Sequence, residues 1–145
     1  MKRVWLLILL LPGSIVAQDA ATEKPCIAFS PESTSPTNAF AKGPLENAVT
    51  PSGDLEFFPT HHDGCWNVHV LSVPVSNAKG KQMGYAVSYT VTDPQRVEVG
   101  HGLNCGPDQN IFLHAMDKAA ADATRSIRLT RPASQTGSTA QSSHQ

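Results

Sequence analysis

Apolar and polar residues alternate in three segments in the second half of the chain. Segment 66–75 alternates at first and then stays largely apolar, and segment 85–92 carries Tyr or Val at every second position. Segment 97–99 repeats the pattern briefly. Period-two alternation is typical of strands with one buried face, and the connections are too short for parallel crossovers. The pattern predicts a small antiparallel three-stranded meander.

A helical repeat follows these segments. Gly106, Pro107 and Asp108 are residue types favoured where a helix begins. The apolar residues beyond them recur at spacings of three and four, which places them on one stripe of a helix. They are Ile111, Phe112, Ala115, Met116, Ala119, Ala123 and Ile127. We therefore expect one C-terminal helix packed against the meander, which is an α+β fold.

The outer parts of the chain show neither period. The first 17 residues combine a basic start, an eight-residue apolar run and a small-residue end, as a cleavable secretory signal peptide does. The following stretch is rich in Pro, Ser and Thr, and the last residues include no large apolar side chain. The predicted organisation is a signal peptide at 1–17, a flexible leader at 18–54, a folded domain at 55–129 and a disordered tail at 130–145.

Composition and charge exclude some classes of partner and location. Of the 145 residues, 40% are hydrophobic and 16% are charged. Loss of Lys2 and Arg3 with the signal changes the net charge from −1 to −3, so we expect no nucleic-acid partner. The apolar run is about half the roughly 20 residues that a transmembrane helix needs, so we expect no membrane span in the mature chain. The protein is predicted to be exported, to a periplasm or to the extracellular space.

Three cysteines in an exported chain allow one intramolecular disulfide. Cys65 precedes the first predicted strand and Cys105 precedes the helix, so both fall in the predicted core. A bond between Cys65 and Cys105 would tie helix to sheet, and it is the favoured pairing. Pairing of Cys26 with either of the others, or no intramolecular bond, remains open.

The same sulfurs suggest a rival use. His62 lies three residues before Cys65, and His101 lies four residues before Cys105. Two His and two Cys are a donor set that zinc accepts. A zinc site made of these four residues is the alternative to a protein without a cofactor.

Two further groups could carry function. Trp66, Tyr85 and Tyr89 could form an aromatic ligand face, although burial in the core is the competing use. Cys65 with His61 or His62 could serve as a thiol nucleophile and its base.

No motif in the chain is specific enough to name a family. The favoured hypothesis is a non-catalytic exported domain that binds a protein or a small ligand in the cell envelope or outside the cell. A metal-binding protein with the His/Cys cluster is the first alternative, and a small thiol or hydrolytic enzyme is the second.

Overall fold

The computed structural model describes residues 24–130, which form a five-stranded mixed sheet with two helices on one face. The elements in chain order are β1 (Cys26–Pro31), α1 (Ala39–Val49), β2 (Glu56–Phe58), β3 (Trp66–Ser76), β4 (Gln82–Thr92), β5 (Glu98–Gly106) and α2 (Asn110–Thr130), with short 3₁₀ turns at Pro36–Asn38 and Thr50–Ser52. The strand order is β2-β1-β3-β4-β5. None of these helices combines the length and the apolar character needed to cross a bilayer.

The predicted three-stranded meander with a single helix is therefore wrong. β1 pairs parallel with both β2 and β3, and only the β3–β4–β5 part is antiparallel. The first two strands and α1 lie in the segment predicted as a flexible leader or just after it. The predicted signal peptide at 1–17 and the tail beyond Thr130 lie outside the described residues.

The burial of β1 and α1 explains why their patterns were missed. Ile27, Ala28 and Phe29 are all buried, so β1 shows a continuous apolar run rather than alternation. In α1 the buried residues are Ala41, Leu45 and Val49 at spacings of four, interrupted in sequence by the helix breakers Gly43 and Pro44. Tertiary burial stabilises a helix that local propensity disfavours.

The antiparallel half follows the sequence pattern more closely. Val68 and Val70 of β3 and Val87, Tyr89 and Val91 of β4 all face the helices and are buried. β5 runs to Gly106, well beyond the predicted 97–99, because its glycines interrupt the apolar pattern without ending the strand. α2 begins at Asn110.

Glycines on β5 let α2 and β4 pack closely against that strand. A Cβ atom on Gly102 would lie 2.5 Å from Cε1 of Tyr89, and one on Gly100 would lie 2.6 Å from Cβ of Asp122. Heavy atoms do not approach so closely, so a larger residue at position 102 would displace the Tyr89 ring, and one at position 100 would displace Asp122 of α2. The alanines of α2 reduce its bulk on the same side.

A disulfide joins Cys26 to Cys65, with their Cα atoms 4.8 Å apart. The predicted Cys65–Cys105 bond is replaced by this pairing because Ile27 is the register partner of Trp66, which brings the two preceding cysteines side by side. Cys105 lies on β5, where it is the register partner of Ala86 of β4. It is exposed and has a free thiol. The bond fastens β1 to the start of β3.

Replacing Val87 with Asp should destabilise the protein by several kcal/mol, because Val87 is fully buried under the helices and a charge there would lose its hydration without gaining a partner. Ser88→Asp is the matched control, since Ser88 points to the opposite side of the same strand. Urea denaturation of the two variants and the wild type measures the difference. Equal losses of stability would contradict the assignment of the faces.

Cleavage of the disulfide should lower the unfolding free energy by roughly 4 kcal/mol, as the chain-entropy model gives for a loop closed across 39 residues. Cys26→Ser and Cys65→Ser should each lower the melting temperature as much as reductant does. Cys105→Ser should leave it unchanged and still sensitive to reductant. A reductant-insensitive wild type would contradict the bond.

Candidate functional site

On the side of the sheet opposite the helices, the loop 61–65 covers the β1 end, and the β3–β4–β5 part beyond it is uncovered within the described part of the chain. We call it the open face; it carries Leu71 of β3, Ser88 of β4 and Leu103 of β5, which are register partners across three strands. The next row along consists of Val73, Ala86 and Cys105. The rows make one continuous surface.

Four large apolar side chains on the open face are exposed to solvent. Leu71, Val73 and Val75 of β3 are 44%, 47% and 42% exposed, and Leu103 of β5 is 71% exposed. We call these four residues the apolar patch. Single exposed apolar side chains are ordinary, but a group of them on one face, here on the two strands that flank β4, marks a candidate interaction surface.

A cleft of about 400 Å³, lined mainly by residues with polar side chains, opens at one end of the same sheet. Asn67 and His69 of β3 and Thr92 of β4 line it from the sheet. The loop 61–65 and the turn 93–96 form its sides. The cleft therefore adjoins the open face at the end away from Cys105.

Asn67 anchors the loop that forms one side of the cleft. Its Oδ1 accepts hydrogen bonds from the backbone N–H of His62 and the hydroxyl of Ser30, both at 3.2 Å. Its Nδ2 donates to the carbonyl oxygens of His62 (3.1 Å) and Cys65 (3.0 Å). Two donors and two acceptor positions are thus all in use, and the backbone partners fix which way the amide points.

The side chains of Ser30, His61 and Asp63 contact one another in the same order as the Ser, His and Asp of a serine-hydrolase catalytic triad. Ser30 Oγ is 3.2 Å from His61 Nδ1, and His61 Nε2 is 3.4 Å from Asp63 Oδ1. The Ser30 hydroxyl, however, donates its proton to Asn67 rather than to the imidazole, and Ser30 is buried. A serine nucleophile must give its proton to the base and be open to substrate, so this group does not support a hydrolase.

The remaining cleft side chains also bind one another. Nδ1 of His69 lies 3.0 Å from a Glu32 carboxylate oxygen, and its Nε2 lies 3.1 Å from the Thr92 hydroxyl. Arg96 stands in the turn with a left-handed φ of 65°, and its guanidinium is 3.8 Å from the Asp63 carboxylate. Both partners of that ion pair are largely exposed, so solvent screens it.

The structure does not bring the four predicted zinc ligands together. Cys65 is in the disulfide, and the His62 ring stacks on Phe58 with centroids 4.0 Å apart. Nδ1 of His101 lies 2.7 Å from Oε1 of Glu98, near the start of β5, while Cys105 lies at the other end of that strand. Within residues 24–130 no group of three or more His, Cys, Asp or Glu side chains is placed to hold a metal ion.

The disulfide also removes the predicted thiol nucleophile. Cys65 has no thiol to pair with His61 or His62. The free thiol of Cys105 lies away from the cleft. Its register partner is Ala86, whereas Thr92, which lines the cleft, is the last residue of β4.

The three aromatic residues considered as a ligand face lie on the helix side of the sheet. Trp66 is buried and donates from Nε1 to the Ser126 hydroxyl at 3.0 Å. Tyr85 packs edge-on against Phe112, with ring centroids 5.4 Å apart. Tyr89 is buried beneath α2. These rings form part of the core.

The Tyr89 hydroxyl donates to Oδ2 of Asp122 at 3.2 Å. Burial raises the pKa of Tyr89, and the charge of the nearby Asp122 carboxylate and this hydrogen bond add to the rise, which brings the pKa to about 12. The neutral phenol is thus the form that the fold stabilises.

Sequence reasoning did not select the apolar patch or Asn67. A signal for the patch was present, because Val70, Leu71, Val73 and Val75 include both parities of one strand and so predict apolar side chains on both faces. Nothing local marks Asn67, whose partners come from β1 and from the loop before β3.

No protein-family model and no curated protein matches the chain. Among solved structures, the chain is similar to the dodecamer of a PelC variant from Paraburkholderia phytofirmans. The two are 11% identical, with a TM-score of 0.40, and the match covers 69% of this chain and 86% of that one. A similarity of this size says nothing about the function of this chain.

The unfolding free energy of the wild type should fall between pH 10 and pH 12 by on the order of 2 kcal/mol more than that of Tyr89→Phe. The unfolded chain loses the phenol proton near pH 10.0 while the folded chain keeps it to about 12, so rising pH favours unfolding across this window. Guanidinium denaturation of both proteins at several pH values gives the comparison. Parallel pH profiles would contradict the raised pKa.

Proposed function

We propose that the protein is a non-catalytic binding module that works outside the cytoplasm and that its apolar patch contacts a partner protein. The observation that carries this proposal is the exposure of Leu71, Val73 and Val75 on β3 and of Leu103 on β5, on the same face of the sheet and on either side of β4. Covering these side chains would remove apolar surface from water, which is a favourable contribution to association.

The shape of the surface favours a protein over a small molecule. Small-molecule sites are concave and surround most of the ligand. The apolar patch lies instead on the face of a sheet, among the small side chains of Ala86 and Ser88. A partner that lays a complementary surface across the strands suits this geometry.

The placement of the reactive side chains favours binding over catalysis. Cys65 is oxidised, the Ser30 hydroxyl donates away from His61, and the cleft imidazoles are engaged with neighbouring side chains. None of these groups is arranged as an activated nucleophile with a base.

Export is supported by two features. The chain starts with a basic segment and an apolar run typical of a signal peptide, and the Cys26–Cys65 disulfide suits an oxidising compartment. Intact-mass measurement of protein recovered from outside the cytoplasm should find a mature chain that begins near Gln18. A recovered chain that still carries Met1 to Ala17 would contradict cleavage.

The patch can be tested with a photo-crosslinking amino acid at position 73 in the protein expressed in its own cell. We expect an adduct with a different protein from position 73 and none from position 118, since Lys118 is exposed on α2 on the far side of the molecule. Adding Leu71→Glu should remove the adduct without unfolding the protein, because Leu71 already faces solvent.

The absence of any adduct from position 73 in folded, exported protein would contradict the proposal. An adduct made only of two copies of this chain would contradict it as well, because it would place a second copy rather than a partner on the patch.

A further inference from the structure

β5 is an edge strand that leaves its outer side unpaired within the described residues. It has nine residues, whereas β2 at the other edge of the sheet has three. Alternate residues of an edge strand point their N–H and C=O groups away from the sheet, where another strand can bind them. The longer edge therefore offers the larger template for strand addition.

Beyond its first residues, which include Glu98, β5 lacks the features that usually block such pairing. Residues 100–106 contain no proline, no lysine and no other formally charged side chain, and their register with β4 is regular. Proteins commonly protect an open edge with charges, proline or bulges. The register of the β4–β5 pairing shifts between Val91 and Thr92 of β4, which lie opposite Gly100 and Glu98 of β5. This irregularity is at the start of β5 and leaves the rest of the strand regular.

We propose that β5 pairs antiparallel with β5 of a second copy of this chain, with Leu103 at the two-fold axis. The pairing joins two sheets into one of ten strands, with all helices on the same side. It shares Leu103 with the apolar patch proposed to bind a partner, but it leaves Leu71, Val73 and Val75 of that patch uncovered and would place the two patches on one continuous face.

Self-complementarity is the reason for choosing a second copy. With Leu103 opposite its own equivalent, the most exposed side chain of the apolar patch is covered by an identical one. The helix-facing positions of this register bring Gly100 opposite Gly106 and Gly102 opposite Asn104. Because three of these four residues are glycines, the helix layers meet few side chains at the junction.

The same register separates the free thiols. Cys105 would lie opposite His101 of the second copy, so the two Cys105 residues would be displaced by four positions, roughly 13 Å along the strands. A disulfide requires Cα atoms about 4.4–6.8 Å apart. The dimer should therefore be non-covalent, and Cys105 should not contribute a bond between the copies.

Sedimentation velocity of the mature protein at micromolar concentration in the presence of a mild thiol reductant, with the internal disulfide verified intact, should give a dimer. Leu103→Lys should raise the dissociation constant at least tenfold, because two ammonium groups would face each other at the axis. Leu71→Lys is the matched control: it adds the same charge on the same face, but on β3, and the dimer should persist. Circular dichroism should show both variants folded, since both side chains are exposed.

A second variant tests the register. Leu103→Cys combined with Cys105→Ser should give a chain-to-chain disulfide on treatment with oxidised glutathione, and the wild type with Cys105 alone should not. A monomeric wild type would overturn the proposal, as would a dimer that survives Leu103→Lys or is lost on Cys105→Ser. None of these outcomes depends on the crosslinking result at position 73, so the two proposals succeed or fail separately.

Discussion

The close approach of α2 to the sheet is the constraint on which the rest of this structure depends. Gly100 and Gly102 leave no space for a Cβ atom beside Asp122 and Tyr89, and half of the buried residues of the helix are alanines. Dispersion contacts weaken steeply with distance, so a thin layer of small residues packs well only when the backbones come near. One consequence is the burial of Tyr89 with its hydroxyl held against Asp122.

Both helices lie on one face of the five-stranded sheet, and polar side chains hold in place the loop that covers part of the other face. The loop 61–65 covers the β1 end of that face, held by the amide of Asn67. On the helix side, Asn38 has a similar role: its Oδ1 accepts from the backbone N–H and the hydroxyl of Ser72, both at 2.8 Å. The side-chain amides of Asn67 and Asn38 thus form hydrogen bonds with backbone N–H and C=O groups that have no partner in a neighbouring strand.

The uncovered remainder of that face connects the fold with the proposed function. A sheet with helices on one side has no internal partner for side chains such as Val73 and Leu103. If those positions were polar, the open face would be an ordinary solvated surface. Their apolar character adds nothing to the folded core, which is why an external partner is the more economical explanation, and the open β5 edge beside them extends the same surface.

The sequence by itself determined the elements whose patterns are local. Alternation in β3 and β4 identified their buried residues, and the three-and-four spacing located α2 and its apolar stripe. The cysteine count limited the chain to one intramolecular disulfide. Each of these inferences depends on residues close in sequence, whose side chains share a face because of the geometry of a single strand or helix.

Only the tertiary structure decided the rest. β1 and α1 have no clear period, because one is buried on both faces and the other contains Gly43 and Pro44. The pairing of Cys26 with Cys65 follows from the parallel β1–β3 register, which no local pattern encodes. The same is true of the patch: Leu71 and Leu103 come to one face, on either side of Ser88, only because β3 and β5 both pair with β4, and these strands are distant in sequence.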